Sequence, residues 1–164
     1  MSKNSKSLKN LSVSAIIAAL YVVLTLFSSM FGLDKGIIQL RLSECLCLLP
    51  LFSPASVSGL YAGCMLSGIL TGAHPMDIIF GSLATLIAAY LTYLTPKSKK
   101  FLGCLPPVIL NAAVVPFILK YAYGLNGALW YFAVTVGISE FICAGILGYV
   151  LIKVLPKSTL ELIK

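Results

Sequence analysis

"PLFSPASVSG", residues 50–59, decides how many helices this chain makes. It lies within the apolar run Glu44–Leu70, 27 residues long. A single helix of that length would extend about 40 Å at roughly 1.5 Å per residue, well beyond a hydrocarbon core of about 30 Å. Pro50 and Pro54 fall inside the run, with serines between and after them. Proline removes a backbone donor and clashes with the preceding turn, so it kinks or ends a helix.

Charge placement decides between one helix and two. Basic residues gather at Lys3, Lys6 and Lys9, at Lys97, Lys99 and Lys100, and at Lys153, Lys157 and Lys164. Cytoplasmic flanks attract Lys and Arg. The first two clusters share a side only if the chain crosses the membrane an even number of times between them. An unbroken second run gives three crossings; a split near Ser53–Ser58 gives four.

The pattern therefore predicts an all-α membrane protein, a bundle of six transmembrane helices with cytoplasmic N- and C-termini. The runs are Leu11–Phe31, the two halves of Glu44–Leu70, Asp77–Leu94, Phe101–Tyr121 and Gly127–Leu155. Residues 1–164 form one domain, with 1–10 a basic cytoplasmic segment and 156–164 a cytoplasmic tail. Connections 32–43, 71–76 and 122–126 lie outside, and Lys35, Arg41 and Lys120 face out.

Composition agrees. Hydrophobic residues make up 59% of the 164 and charged residues 10%, against roughly 25% charged in soluble domains. The basic N-terminus before an apolar run raises the question of a signal peptide. Leu11–Phe31 is longer than the usual core of about 7–15 residues and ends without a small-x-small site, so a retained helix is expected. Five cysteines, an odd number without repeated CxxC, argue against disulfides or zinc. They read as small hydrophobes.

Ionisable residues within spans are costly and face a bundle interior or a wet cavity. Apart from the tail, the acids are Asp34, Glu44, Asp77 and Glu140. Glu44 and Asp77 open helices, where a carboxylate can also simply cap free N–H groups. Gln39 and Arg41 make a polar cluster with Glu44. Glu140 lies 13 residues into the last helix, roughly 20 Å along it. There it needs a partner, a proton or a cavity. Asn111, midway through "VILNAAVV", reads either as interhelical glue or as part of a site.

Tyr93, Tyr121, Tyr123, Trp130 and Tyr131 near helix ends are expected in an interfacial belt. His74, alone in a loop, receives no role. Acids, an amide and an arginine from separate helices, set among aromatics, suit a flat solute with hydrogen-bond donors. Small residues four apart, Ala15 and Ala19 or Gly59 and Gly63, permit close helix contact, as do Gly81, Ala84 and Ala88. No phosphate loop, HExxH pair or nucleophile–histidine set is present, so nothing supports an enzyme.

The stretch "QLRLSECLCLLPLF" (39–52) resembles the Q-x-R-x-S-E-x-x-x-x-L-P pattern of the QueT membrane proteins. So do "DIIFGSLATLIAAYLTYL" (77–94), "LPPVILNA" (105–112) and the "ISE" ending at Glu140. The resemblance implies the substrate-binding S component of an energy-coupling factor (ECF) transporter in the bacterial plasma membrane. The implied cargo is a queuosine precursor, a 7-deazaguanine base. The implied partners are a transmembrane coupling subunit and two ATPase subunits, so ATP is used outside this chain, which needs no cofactor, metal or nucleic acid. An A-x-x-x-A stripe on helix one contacts the coupling subunit in such systems; Ala15 and Ala19 match it. The family often has asparagine where this chain has Ser67, and Ala-Leu where it has Cys45-Leu46.

On this reading the substrate site comprises Gln39, Arg41, Glu44, Asp77, Asn111 and Glu140. The acids accept the N–H edge of a guanine-like base, Asn111 serves a carbonyl or ring nitrogen, rings stack, and Arg41 steadies an acid. The excess of acids favours an aminomethyl over a cyano form. A pterin or flavin S component, or a structural subunit without ligand, are the competing readings.

Overall fold

The computed structural model describes residues 3–33, 39–156 and 159–160. Expectations for Asp34, Lys35, Lys157, Lys164 and most of the tail lie outside the described residues. Every regular element among those described is helical.

Helix α1 is Lys3–Met30. A 3-10 helix, Leu42–Leu51, precedes α2, Ala55–Leu70. A π turn, Asp77–Gly81, runs into α3, Ser82–Leu94. A second 3-10 segment, Lys97–Cys104, leads to α4, Leu105–Tyr121. The last rod is α5 (Leu129–Glu140), a π segment (Phe141–Leu147) and α6 (Gly148–Val154). Four rods, Asn4–Met30, Asp77–Leu94, Lys97–Tyr121 and Leu129–Val154, are long and apolar enough to cross a membrane. The two from the split run are shorter.

The break falls at Phe52–Pro54, where the prolines and serines predict it. The preceding half is wound as a 3-10 helix, which rises about 2.0 Å per residue against about 1.5 Å for α. Its ten residues therefore reach about 20 Å, not about 15 Å. Leu46, Leu48, Leu49 and Leu51 are at most 5% exposed. Apart from Ser43 and Glu44 the short helix is apolar, and it is buried on most of its surface because other helices enclose it.

Successive rods alternate in direction. At one end Arg41, Asp77 and Tyr123 meet, joining the connections that follow α1, α2 and α4. At the other, Phe52 packs with Leu48, Leu51, Cys104 and Ile152, and Lys100 Nζ sits 5.8 Å from the Phe52 ring centre. Lys153 covers Tyr149 at this second end. Lys100 of the α3–α4 connection and Lys153 of α6 thus share an end.

The α1–α2 seam explains two glycines. A Cβ on Gly59 would sit 2.7 Å from the Ser14 carbonyl oxygen, and one on Gly63 2.7 Å from Tyr21 Cβ. Small residues here let backbones touch. Outward-facing Ile16, Val23, Phe27, Ile87, Ile109 and Ile146 are each about half exposed or more. This apolar exterior is the one a hydrocarbon solvent favours.

Candidate functional site

Past the seam, α1 and α2 both line a cavity of about 460 Å³. Tyr21, Thr25 and Ser29 of α1 and Cys64, Ser67, Gly68 and Thr71 of α2 contribute to its wall. Gln39, Arg41, Asp77 and Tyr123 complete its polar lining. The volume lies within the roughly 300–1,000 Å³ of small-molecule sites.

A knot of side chains ties the three connections around this cavity. Arg41 Nη2 is 3.2 Å from Asp77 Oδ2, which also accepts the Tyr123 hydroxyl at 3.0 Å. Tyr123 Oη in turn accepts the His74 N–H at 3.2 Å. Burial pushes the Tyr123 hydroxyl above its ordinary pKa, the His74 N–H draws it back, and the Asp77 charge pushes it up again. Tyr123 therefore stays a neutral donor at neutral pH. The π turn places Asp77 on the inner wall, and Gly81 leaves room for it: a Cβ there would lie 2.9 Å from Asp77 Oδ1. π turns occur disproportionately at functional sites.

A second, small chamber of about 20 Å³ adjoins the first, since Gln39 and Arg41 line both. Glu44, Asn111, Glu140 and Thr85 form its polar walls. Glu44, 2% exposed, accepts the Tyr21 hydroxyl and the Cys47 thiol, the latter at 2.8 Å. Glu140, 7% exposed, has the Asn111 amide and Glu44 carboxyl as polar neighbours, yet its Oε1 has no hydrogen-bond partner.

The sequence model of the family described as QueT transporter matches residues 11–157. The chain belongs to the QueT transporter family. A curated relative, "Queuosine precursor transporter QueT" of Lactococcus lactis subsp. cremoris (strain MG1363), is 38% identical over 73 residues. That match covers 44% of this chain and 43% of the relative's length. No solved structure matches.

In this QueT family chain the sequence motif at 39–50 acquires physical roles. Gln39 and Arg41 form the partition between the cavities. Ser43 Oγ lies 2.9 Å from Thr25 Oγ1, tying the 3-10 helix to α1, and Glu44 enters the inner chamber. Both acids stand in first helical turns, and each also takes side-chain donors from other elements or its own turn: Glu44 accepts from Tyr21 and Cys47, and Asp77 accepts from Arg41 and Tyr123. All six residues named from sequence line one or both cavities.

The pairing differs from the one suggested by spacing. Arg41 forms an ion pair with Asp77, 36 residues along, not with Glu44 three residues away. Glu44 is instead reached by Tyr21, which crosses from α1. Tyr123, expected in an interfacial belt, is part of the cavity wall, and His74 supports it. Ser67, where the family often has asparagine, lines the cavity; Tyr21, Thr25 and Thr71 line it too, though the sequence reading gives them no place there. A signal existed for Tyr21 and Thr25: with Ser28 they repeat at four and three residues, a polar stripe on an otherwise apolar helix.

Ala15 and Ala19 lie elsewhere, on the exposed face of α1 beside Ile16 and Leu20. They take no part in either cavity.

Proposed function

We propose that this QueT family chain is the substrate-binding S component of an ECF-type transporter in the plasma membrane, loading a 7-deazaguanine queuosine precursor into the 460 Å³ cavity. The observation that carries the reading is the cavity's combination of a buried carboxylate, an amide and two tyrosines. Asp77 offers acceptors for the adjacent N–H donors of a guanine-like edge. Gln39 supplies an amide for a carbonyl or ring nitrogen, and Tyr21 and Tyr123 offer ring faces and edges. Arg41 pairs with the Asp77 carboxylate at 3.2 Å and holds it in place. The similar Lactococcus protein is described as a queuosine precursor transporter, which supports the cargo class.

Transport uphill needs an energy source, and the sequence has no phosphate loop of its own. Partner ATPases, joined through a transmembrane coupling subunit, supply it. The exposed Ala15–Ala19 face of α1 is the surface offered to that subunit, where small side chains allow close helix approach.

The test is titration of the purified protein with 7-deazaguanine bases, a pterin and a flavin, followed by calorimetry and thermal shift. Saturable binding of 7-deazaguanines that weakens about tenfold or more in Asp77→Asn is expected, the loss of a charge-assisted hydrogen bond. Preference for the pterin or flavin would reassign the cargo. Absence of any saturable ligand would favour a structural subunit and end the proposal.

A further inference from the structure

The inner chamber presents a charge problem that the outer cavity does not. Asp77 has Arg41. Glu44 and Glu140, hydrogen-bonded to each other, line the inner chamber with Arg41, and no second cation joins them among the described residues. Asn111, Gln39, Thr85 and the Cys47 and Cys143 thiols surround them. Buried carboxyls demand a counter-charge, a proton or hydrogen-bond donors. Glu140 Oε1 has no hydrogen-bond partner, although the residue is more than nine-tenths buried.

The size of the chamber narrows what can complete it. About 20 Å³ exceeds the roughly 10–15 Å³ that one water-sized body occupies, and cannot admit a ring. An alkylammonium head is such a body. It brings a full positive charge and three donors, against acceptor oxygens on Glu140, Glu44, Asn111 and Gln39. The partition formed by Gln39 and Arg41 puts the head's seat next to the cavity that has room for a flat base.

Resting on the function proposed above, we infer that the inner chamber is a subsite for a compact cationic head of the solute, with Glu140 its principal acceptor. The preferred ligand is then a flat heteroaromatic base whose short side arm ends in a primary ammonium. The base lies in the outer cavity and the arm passes between Gln39 and Arg41. Asp77 is the acceptor for the ring's N–H edge and Glu140 for the arm, so recognition is divided between two acids at two depths.

Calorimetric titration with 7-aminomethyl-7-deazaguanine and 7-cyano-7-deazaguanine, which share a ring and differ in the charge of the arm, tests this. The aminomethyl base is expected to bind about tenfold or more tightly than the cyano base, as one charge-assisted bond to a buried acid implies. In Glu140→Gln the aminomethyl affinity falls at least about tenfold further than the cyano affinity. Glu44→Gln, a second variant should the first not fold, reduces the same ratio. Equal affinity of the two bases in the parent protein overturns the subsite while leaving the 7-deazaguanine function standing. So does a preference that survives both substitutions, or tightening of the cyano base by sodium against choline at constant ionic strength, which would make the occupant a free cation. Failure of every 7-deazaguanine to bind overturns both.

Discussion

Helices α1 and α2 touch at one end and part at the other. Over Ser14–Tyr21 the glycines of α2 bring the backbones into contact, and a single added methyl would overlap them. One to two turns further on, Thr25 and Ser29 of α1 and Ser67 and Thr71 of α2 line an open cavity. The same two helices thus make both a backbone-to-backbone seam and part of the wall of the hollow. The difference lies in side-chain size at the seam and in what the far ends must enclose. Closely packed small residues fix the angle; the polar residues beyond inherit the resulting gap. Close packing should therefore stabilise the bundle at the seam, while the hollow serves recognition and adds stability through the Arg41–Asp77 pair.

The comparison can be broken first at the ion pair of the hollow, where the largest effect on stability is expected. Arg41→Met leaves the Asp77 carboxylate buried without its cation. It should cost about 3 kcal/mol, the lower end for breaking a buried pair, since the Arg41 side chain is 24% exposed. Chemical or thermal unfolding in detergent measures this, and Arg41→Met combined with Asp77→Asn should recover most of the loss. No recovery would show that Arg41 acts through packing, not charge.

Gly59→Ala sharpens the other side. The new Cβ meets the Ser14 carbonyl, a backbone atom that cannot step aside, so a loss of about 1–3 kcal/mol is expected, as for an overpacked core. Ligand affinity of the fraction that folds should stay within about twofold, well under the roughly 1.4 kcal/mol of a tenfold change. A larger fall in affinity would mean that the seam sets the cavity's shape directly.

The smallest effect on stability is expected at Ala15→Leu with Ala19→Leu, on the exposed face of α1. Exposed substitutions away from packed features change stability by about 0.5 kcal/mol or less. Binding should persist while cellular uptake of the ligand and co-purification of a coupling subunit are lost. Unchanged uptake would remove this face from the proposed interface.

Much of this arrangement is written along the chain. Pro50 and Pro54 end one helix and begin the next because proline lacks the donor a continuing helix needs. Gly59 and Gly63 mark the seam because only their absent side chains permit the observed approach. Gln39, Arg41, Glu44, Asp77, Asn111 and Glu140 stand out because polar groups in an apolar bundle must be enclosed and partnered. These are local statements: each depends on one residue's chemistry and its immediate neighbours.

Partner choice was not legible in that way. Arg41 is three residues from Glu44 and 36 from Asp77, yet it bonds the distant acid. Tyr21 reaches Glu44 from another helix, and Tyr123, at a helix end where aromatics commonly meet the interface, turns in to Asp77. The division of one polar cluster into a large outer cavity and a water-sized inner chamber depends on where several rods come to rest. By itself the sequence determined which residues have to be enclosed, because desolvation acts on each side chain separately. Only the tertiary structure decided which of them meet, because a hydrogen bond or ion pair is a relation between positions that packing alone brings within about 3 Å.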